Sequence, residues 1–296
     1  MIHTVKNDKL AVEIDEYGAE LQSVRTADGA EYLWQGGPAY WTGRAPNLFP
    51  IVGRLTDGGY TYKGKTYFMG THGFARKSAF WLVSKTVSRD KTKTAIVFEL
   101  SDNDETQKEY PFEFVYRVTY VLDGNSLETV YEVLNAGRGE LIFALGGHPG
   151  FNVPSGGGNF EDFYLEFSDV KTPREIVLSP ACFITGETRP FELRGGKILD
   201  LKHGLFDNDA IVLIDAAKSV TLKSDKSARS VTVSYPGMKY LGLWHKPHSD
   251  APYVCIEPWT SLPSYDKAAD DLETKRDMIR LAPGKTYANG FTVIIR

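Results

Sequence analysis

Apolar and polar residues alternate every second position through much of this chain, and that period predicts strands. Leu10, Val12 and Ile14 share one face of residues 9–14. Gly18 interrupts the pattern, and residues 21–25 resume it. Asp28-Gly29 signals a turn ahead of Tyr32-Leu33-Trp34. Residues 60–67 read as a hairpin turning at Lys63-Gly64. Residues 114–122 and 126–134 are two long strands joined by Asp123-Gly124-Asn125, a strong hairpin signal. Further strands are predicted at 95–100, 141–145, 163–167, 210–214, 219–223, 230–235, 240–244, 253–257 and 287–295. Helical composition is confined to 266–275, with a polar helical turn at 101–109.

This order of elements predicts an all-β chain. A large antiparallel β-sandwich fits better than a barrel or a βαβ fold. No run of Pro, Ser or charge divides the sequence and no repeat is visible, so 1–296 reads as a single domain. At this length a folded chain buries roughly 70% of its unfolded surface, enough for one core. The stretch 36–55, GGPAYWTGRAPNLFPIVGRL, is irregular yet too apolar for a free linker. Loops of that kind are functional or packed over the opening of a sheet.

Composition narrows the function. A formal charge of −4 gives no reason to expect nucleic acid or an anionic membrane as a partner. No apolar run approaches the roughly 20 residues of a membrane span. The first residues, MIHTVKNDKL, contain no apolar signal core. Cys182 and Cys255 have no metal-ligand spacing, so no metal is expected and a reducing cytoplasm fits best. The 16 Tyr, 16 Phe and 5 Trp favour strands and supply flat platforms for sugar rings.

Three stretches carry candidate chemistry. In LGGHPGFN (145–152), two glycines end an apolar strand and Pro149 biases His148 toward an extended conformation. A turn histidine is the plain alternative. In THGFAR (71–76), His72 repeats the arrangement, with Arg76 close by. In CIEPW (255–259), alternation puts Cys255 and Glu257 on one face, and Pro258 is expected to end the strand. Glu257 then projects at an edge, either solvated or, between Ile256 and Trp259, in need of a partner. Asp207 and Asp209 precede a buried strand; Asp207 suits turn capping and Asp209 a buried role. Arg44 and Arg54 lie in the aromatic loop, where arginines make forked contacts to hydroxyls or phosphate. Trp34, Trp41, Trp244 and Trp259 read mainly as core, with one free to stack on a ring. His3, His203, His245 and His248 read as structural or surface. Nucleophile elbows, phosphate loops and zinc-protease motifs are absent. An acid–base set needing neither metal nor cofactor remains.

On GAELQSV (18–24), APNLFPIVGRL (45–55), THGFAR, LGGHPGFN and CIEPW, the chain resembles the aldose 1-epimerase (mutarotase) family, most closely its LacX-like branch. The resemblance runs nearly the whole length and implies the galactose mutarotase-like supersandwich with a shallow sugar cleft. It implies His148 as general acid and Glu257 as general base, with His72 and Arg54 contacting the sugar. Asp209 matches the family's substrate-binding aspartate in a weaker motif, and Arg76 and Trp259 join the expected substrate-binding set. Galactose mutarotases carry Asn-Arg after the first glycine-arginine and a doubled glycine after the first histidine. This chain reads Arg54-Leu55 and His72-Gly73-Phe74 there. The HGFAR string also occurs in the branch acting on hexose 6-phosphates. The implied activity is anomer interconversion of a hexose, with a neutral aldose favoured and a hexose 6-phosphate as alternative. A non-catalytic sugar-binding or sensing protein and a glycoside hydrolase or lyase are the rivals. The hydrolase needs a second carboxylate beside Glu257. The expected partner is a small sugar, the expected assembly a monomer or homodimer. Mutual attraction is expected to hold His148 and Glu257 charged.

Overall fold

The computed structural model describes residues 1–89 and 92–296. Among the described residues, strands gather in two large antiparallel sheets. One runs in the order Ile198–Asp200, Phe163–Phe167, Ser219–Ser224, Ser227–Ser234, Thr286–Ile295, Ser126–Asn135, Phe114–Asp123, Lys93–Ser101 and Trp81–Val87. The other runs Ile184–Pro190, Arg174–Leu178, Ile211–Ile214, Tyr240–Trp244, Tyr253–Trp259, Gly146–Gly147 and Asn47–Leu48, and Gly150–Asn152 also pairs with Tyr253–Trp259. Smaller sheets flank them, one of Ile2–Lys6, Leu10–Asp15 and Glu20–Thr26.

Alternation explains how the two large sheets pack. Phe114, Tyr116, Val118, Tyr120 and Leu122 are buried along one face of their strand, as are Leu127, Tyr131 and Val133 on the next. These rows share a continuous core with Leu213, Leu241, Leu243, Val254 and Ile256 from the opposing sheet. Each such side chain contributes roughly 1.5–3 kcal/mol against the entropy of ordering the chain. Both predicted hairpins form. Tyr62 pairs with Lys65, so Lys63 (φ 49°) and Gly64 (φ 74°) make a two-residue turn in the left-handed region, which matches the strand twist. Ser126 pairs with Asp123, and the second hairpin turns on Gly124 and Asn125.

Three expectations need correction. Residues 266–275 are not helical: Asp270–Asp271 adds a short parallel strand beside Gly59–Tyr62. Asp270 is instead tied to Lys275 (2.8 Å) and the Ser264 hydroxyl, and Leu272 alone supplies no apolar stripe for a helix. Pro258 does not end its strand. A proline costs a sheet one donor, and Glu257 and Trp259 keep their register with Gly242 and Tyr240 on either side of it. Glu257 therefore lies within a sheet rather than at its edge. The third concerns strands that the pattern did not predict: Ile2–Lys6, Trp81–Val87, Arg174–Leu178, Ile184–Pro190 and Ile198–Asp200. Every residue of Trp81–Val87 is exposed, as is nearly all of Ile184–Pro190, so neither shows an apolar face. The helical turn at 101–109 does form, as Asp104–Glu109, capped by Asn103. Among the described residues no helix is long and apolar enough to cross a membrane.

Candidate active site

All seven residues of Tyr253–Trp259 are buried, because the strand is covered on both faces. Val254 and Ile256 enter the main core, while Tyr253 and Cys255 face an aromatic cover of Trp34, Tyr40, Trp41 and Trp244. Glu257 shares the covered face with Cys255 and is 1% exposed. The neighbouring Gly146–Gly147 brings in His148. A Cβ on Gly146 would lie 2.8 Å from the Pro258 carbonyl oxygen, and one on Gly147 would lie 2.4 Å from the Phe291 ring. The glycines thus permit a close backbone approach, to the protein's own core. His148 is pinned by its backbone N–H, which donates to the Pro46 carbonyl (3.1 Å).

His148 Nε2 stands 3.2 Å from Glu257 Oε2. The imidazole is boxed by Trp41 (ring centroids 4.9 Å apart), Trp244 (5.7 Å) and His72 (5.5 Å). His72 has φ 65°, a conformation that non-glycine residues rarely adopt outside functional or tightly held sites. Its Nδ1 accepts a hydrogen bond from the Gly53 backbone N–H (3.1 Å), which leaves the proton on Nε2. Arg54 donates to the Ala181 carbonyl (3.1 Å) and lies 3.5 Å from Asp209, itself at φ 73°.

These residues line a cleft of about 350 Å³, together with Arg76, Trp259, Thr71 and Cys182. All seven predicted site residues, His148, Glu257, Arg54, His72, Asp209, Arg76 and Trp259, meet there. Arg76 has a buried Nε without a hydrogen-bond partner. Arg44 points elsewhere, donating to the Gln22 carbonyl (2.6 Å) and Gln35 Oε1 (3.3 Å). Thr71 and Cys182 are additions, and of the four tryptophans read mainly as core, Trp41 and Trp244 line the cleft beside Trp259. Through Arg54, Cys182, Asp209 and Trp244 the cleft adjoins a wider basin of about 870 Å³.

Burial dominates the electrostatics. It pushes the Glu257 carboxyl well above the usual carboxylate range, with the Asp209 charge acting in the same direction. The Trp259 indole N–H lies beside that carboxyl and opposes the shift more weakly, without completing a hydrogen bond. Burial also lowers His148 to about 3, and the Arg76 guanidinium adds to the effect. His72 is held well below its ordinary value by burial and by His148 nearby. The expectation of a pair held charged by mutual attraction is therefore reversed: desolvation outweighs it and favours neutral acid facing neutral imidazole. That form and the carboxylate–imidazolium form contain the same number of protons. One transfer across 3.2 Å interconverts them.

Comparison with known proteins gives a consistent picture. The aldose 1-epimerase family model matches residues 1–293. The chain is 33% identical to the chromosomal protein LacX of Lactococcus lactis, over 98% of each. Its fold superposes on a galactose mutarotase related enzyme from Lactobacillus acidophilus with a TM-score of 0.94 and 39% identity, covering 100% of this chain and 97% of that one. A galactose mutarotase-like protein from Lactobacillus casei gives 0.92 and 32% identity, with both chains fully covered.

Proposed function

Because this chain belongs to the aldose 1-epimerase family, we propose that it interconverts the α and β anomers of a free aldohexose by acid–base ring opening and closure. The observation that carries this reading is the imidazole–carboxylate pair, 3.2 Å apart in a cleft that Arg54, Arg76 and Asp209 also line. Binding alone does not require such a pair. The reaction begins with transfer of a proton from Glu257 to His148, 3.2 Å away. Glu257, now a carboxylate, takes the proton from the anomeric hydroxyl while His148 gives its proton to the ring oxygen. The bond between C1 and the ring oxygen breaks as the C1 carbonyl forms. Rotation about C1–C2 and closure on the opposite face, with the roles reversed, yield the other anomer. His72 Nε2–H, Arg54 and Asp209 orient the sugar hydroxyls against the pair. The indoles of Trp41, Trp244 and Trp259 supply apolar surface for a pyranose face. We place this activity in the whole chain acting as a single domain. No protein group in the scheme depends on a metal or cofactor.

One observation favours a second reading, in which the hexose carries a phosphate. Among the described residues no ion pair or side-chain hydrogen bond partners the Arg76 guanidinium, which lines the cleft. Polarimetry decides both questions. Freshly dissolved α-glucose and α-galactose should reach anomeric equilibrium faster with the protein than without it. Unchanged rates for these sugars and their 6-phosphates, with sugar binding intact, would leave a binding protein.

A further inference from the structure

Beneath the aromatic cover, beside the imidazole–carboxylate pair, lies a side chain that the proposed reaction does not use. Cys255 stands two residues before Glu257 on the same strand face and is fully buried. With His148 and Glu257 it offers a nitrogen, a sulfur and a carboxylate oxygen, all within 4.8 Å of one another. A second observation points to a ligand there. Glu257 Oε2 is buried and completes no hydrogen bond, not even with His148 Nε2 at 3.2 Å. Buried acceptors left unpaired are uncommon and mark places where another group binds.

Thiolate, imidazole and carboxylate together form a set suited to zinc, which takes three protein ligands and leaves a fourth position open to solvent or substrate. Ligand atoms on a tetrahedral zinc, at bond lengths of about 2.0–2.3 Å, lie roughly 3.3–3.8 Å apart. The widest pair here needs to close by about 1 Å, within the reach of side-chain rotation. We propose that His148, Cys255 and Glu257 bind a zinc ion that inhibits the protein. The ion occupies the lone pairs with which the imidazole and the carboxylate exchange protons, and so competes with the sugar. The inhibition rests on the anomerase reading above; the binding does not.

The test uses the full chain, stripped with chelator, and two variants, Cys255→Ser and Cys255→Ala. Zinc is titrated against a chromogenic chelator, cobalt(II) is used as a spectroscopic probe, and anomerisation is followed by polarimetry. The unaltered chain should bind one equivalent of zinc and lose anomerisation in proportion to occupancy. Excess chelator should restore the rate, and saturating sugar should slow the loss. Cobalt should give a thiolate-to-metal charge-transfer band. Both variants should keep their metal-free rate, lack that band and bind zinc at least about tenfold more weakly, as loss even of a supporting group does. Magnesium should have no effect. Zinc binding unchanged in both folded variants, or no thiolate band in the unaltered chain, would overturn the site. A chain without anomerisation that still shows the cobalt band would keep the site and overturn the function instead.

Discussion

His148 Nε2 lies 3.2 Å from Glu257 Oε2, and burial favours the neutral form of each, raising the carboxyl's affinity for its proton and lowering the imidazole's. The pair thus holds one transferable proton. Replacing Glu257 with Gln keeps the shape and removes the base. Anomerisation should fall about 10²–10⁴-fold, the usual worth of one positioned acid or base. Sugar binding, read by calorimetry, should remain measurable. A near-normal rate in Glu257→Gln would remove this residue from the mechanism.

The same pair sets a pH dependence of stability. His148 returns from about 3 to about 6.5 on unfolding. Its contribution is present above pH 6.5 and is lost as pH falls toward 3, because only the unfolded chain takes up that proton. Glu257 is raised above its ordinary 4.5, so its contribution is present below pH 4.5 and is lost as pH rises through the folded value. The two slopes oppose one another between pH 4.5 and 6.5, where the pair stabilises most. Relative to His148→Asn, the unaltered chain should lose stability on acidification, by at most about 1.4 kcal/mol per pH unit. Relative to Glu257→Gln it should lose stability as pH rises. Denaturant midpoints measured across pH check both signs, and matching profiles would refute them.

Gly147 tests the close approach that positions His148. A methyl there meets the Phe291 ring at 2.4 Å and the Tyr131 hydroxyl at 3.0 Å. Gly147→Ala should cost about 1–3 kcal/mol by urea unfolding and reduce turnover. Gly70→Ala, where a methyl meets nothing within 4 Å, should stay within about 0.5 kcal/mol.

Substrate charge turns on Arg76. If the sugar is neutral, Arg76→Ala should leave the ratio of rates on glucose and glucose 6-phosphate nearly unchanged. Preferential conversion of the 6-phosphates, abolished specifically by Arg76→Ala, would establish a phosphorylated substrate.

Removal of metals provides a further check. Anomerisation should survive exhaustive chelation and need no nucleotide. A loss restored by one particular ion would show a metal requirement that the acid–base scheme does not contain.

The sequence by itself determined the sheets that alternate, because alternation is the direct imprint of one buried face; residues 114–122 and 126–134 are legible for that reason. It also marked His148, Glu257, His72, Arg54, Asp209, Arg76 and Trp259, through motifs whose resemblance to a family spans the chain. Edge strands such as Trp81–Val87 were not legible, since an exposed strand is held by its one neighbour rather than by its own pattern. Tertiary structure alone decided that Glu257 is buried inside a sheet, that Arg76 reaches the cleft while Arg44 does not, and that burial favours the neutral form of both the histidine and the glutamate. Charge state depends on desolvation, and desolvation is set by residues distant in sequence: Trp41 and Trp244 close over His148, and Tyr253–Trp259 is covered on both faces. Cys255 joins His148 for the same reason. Their separation of 107 positions in sequence (255 − 148) vanishes only when the strands pair.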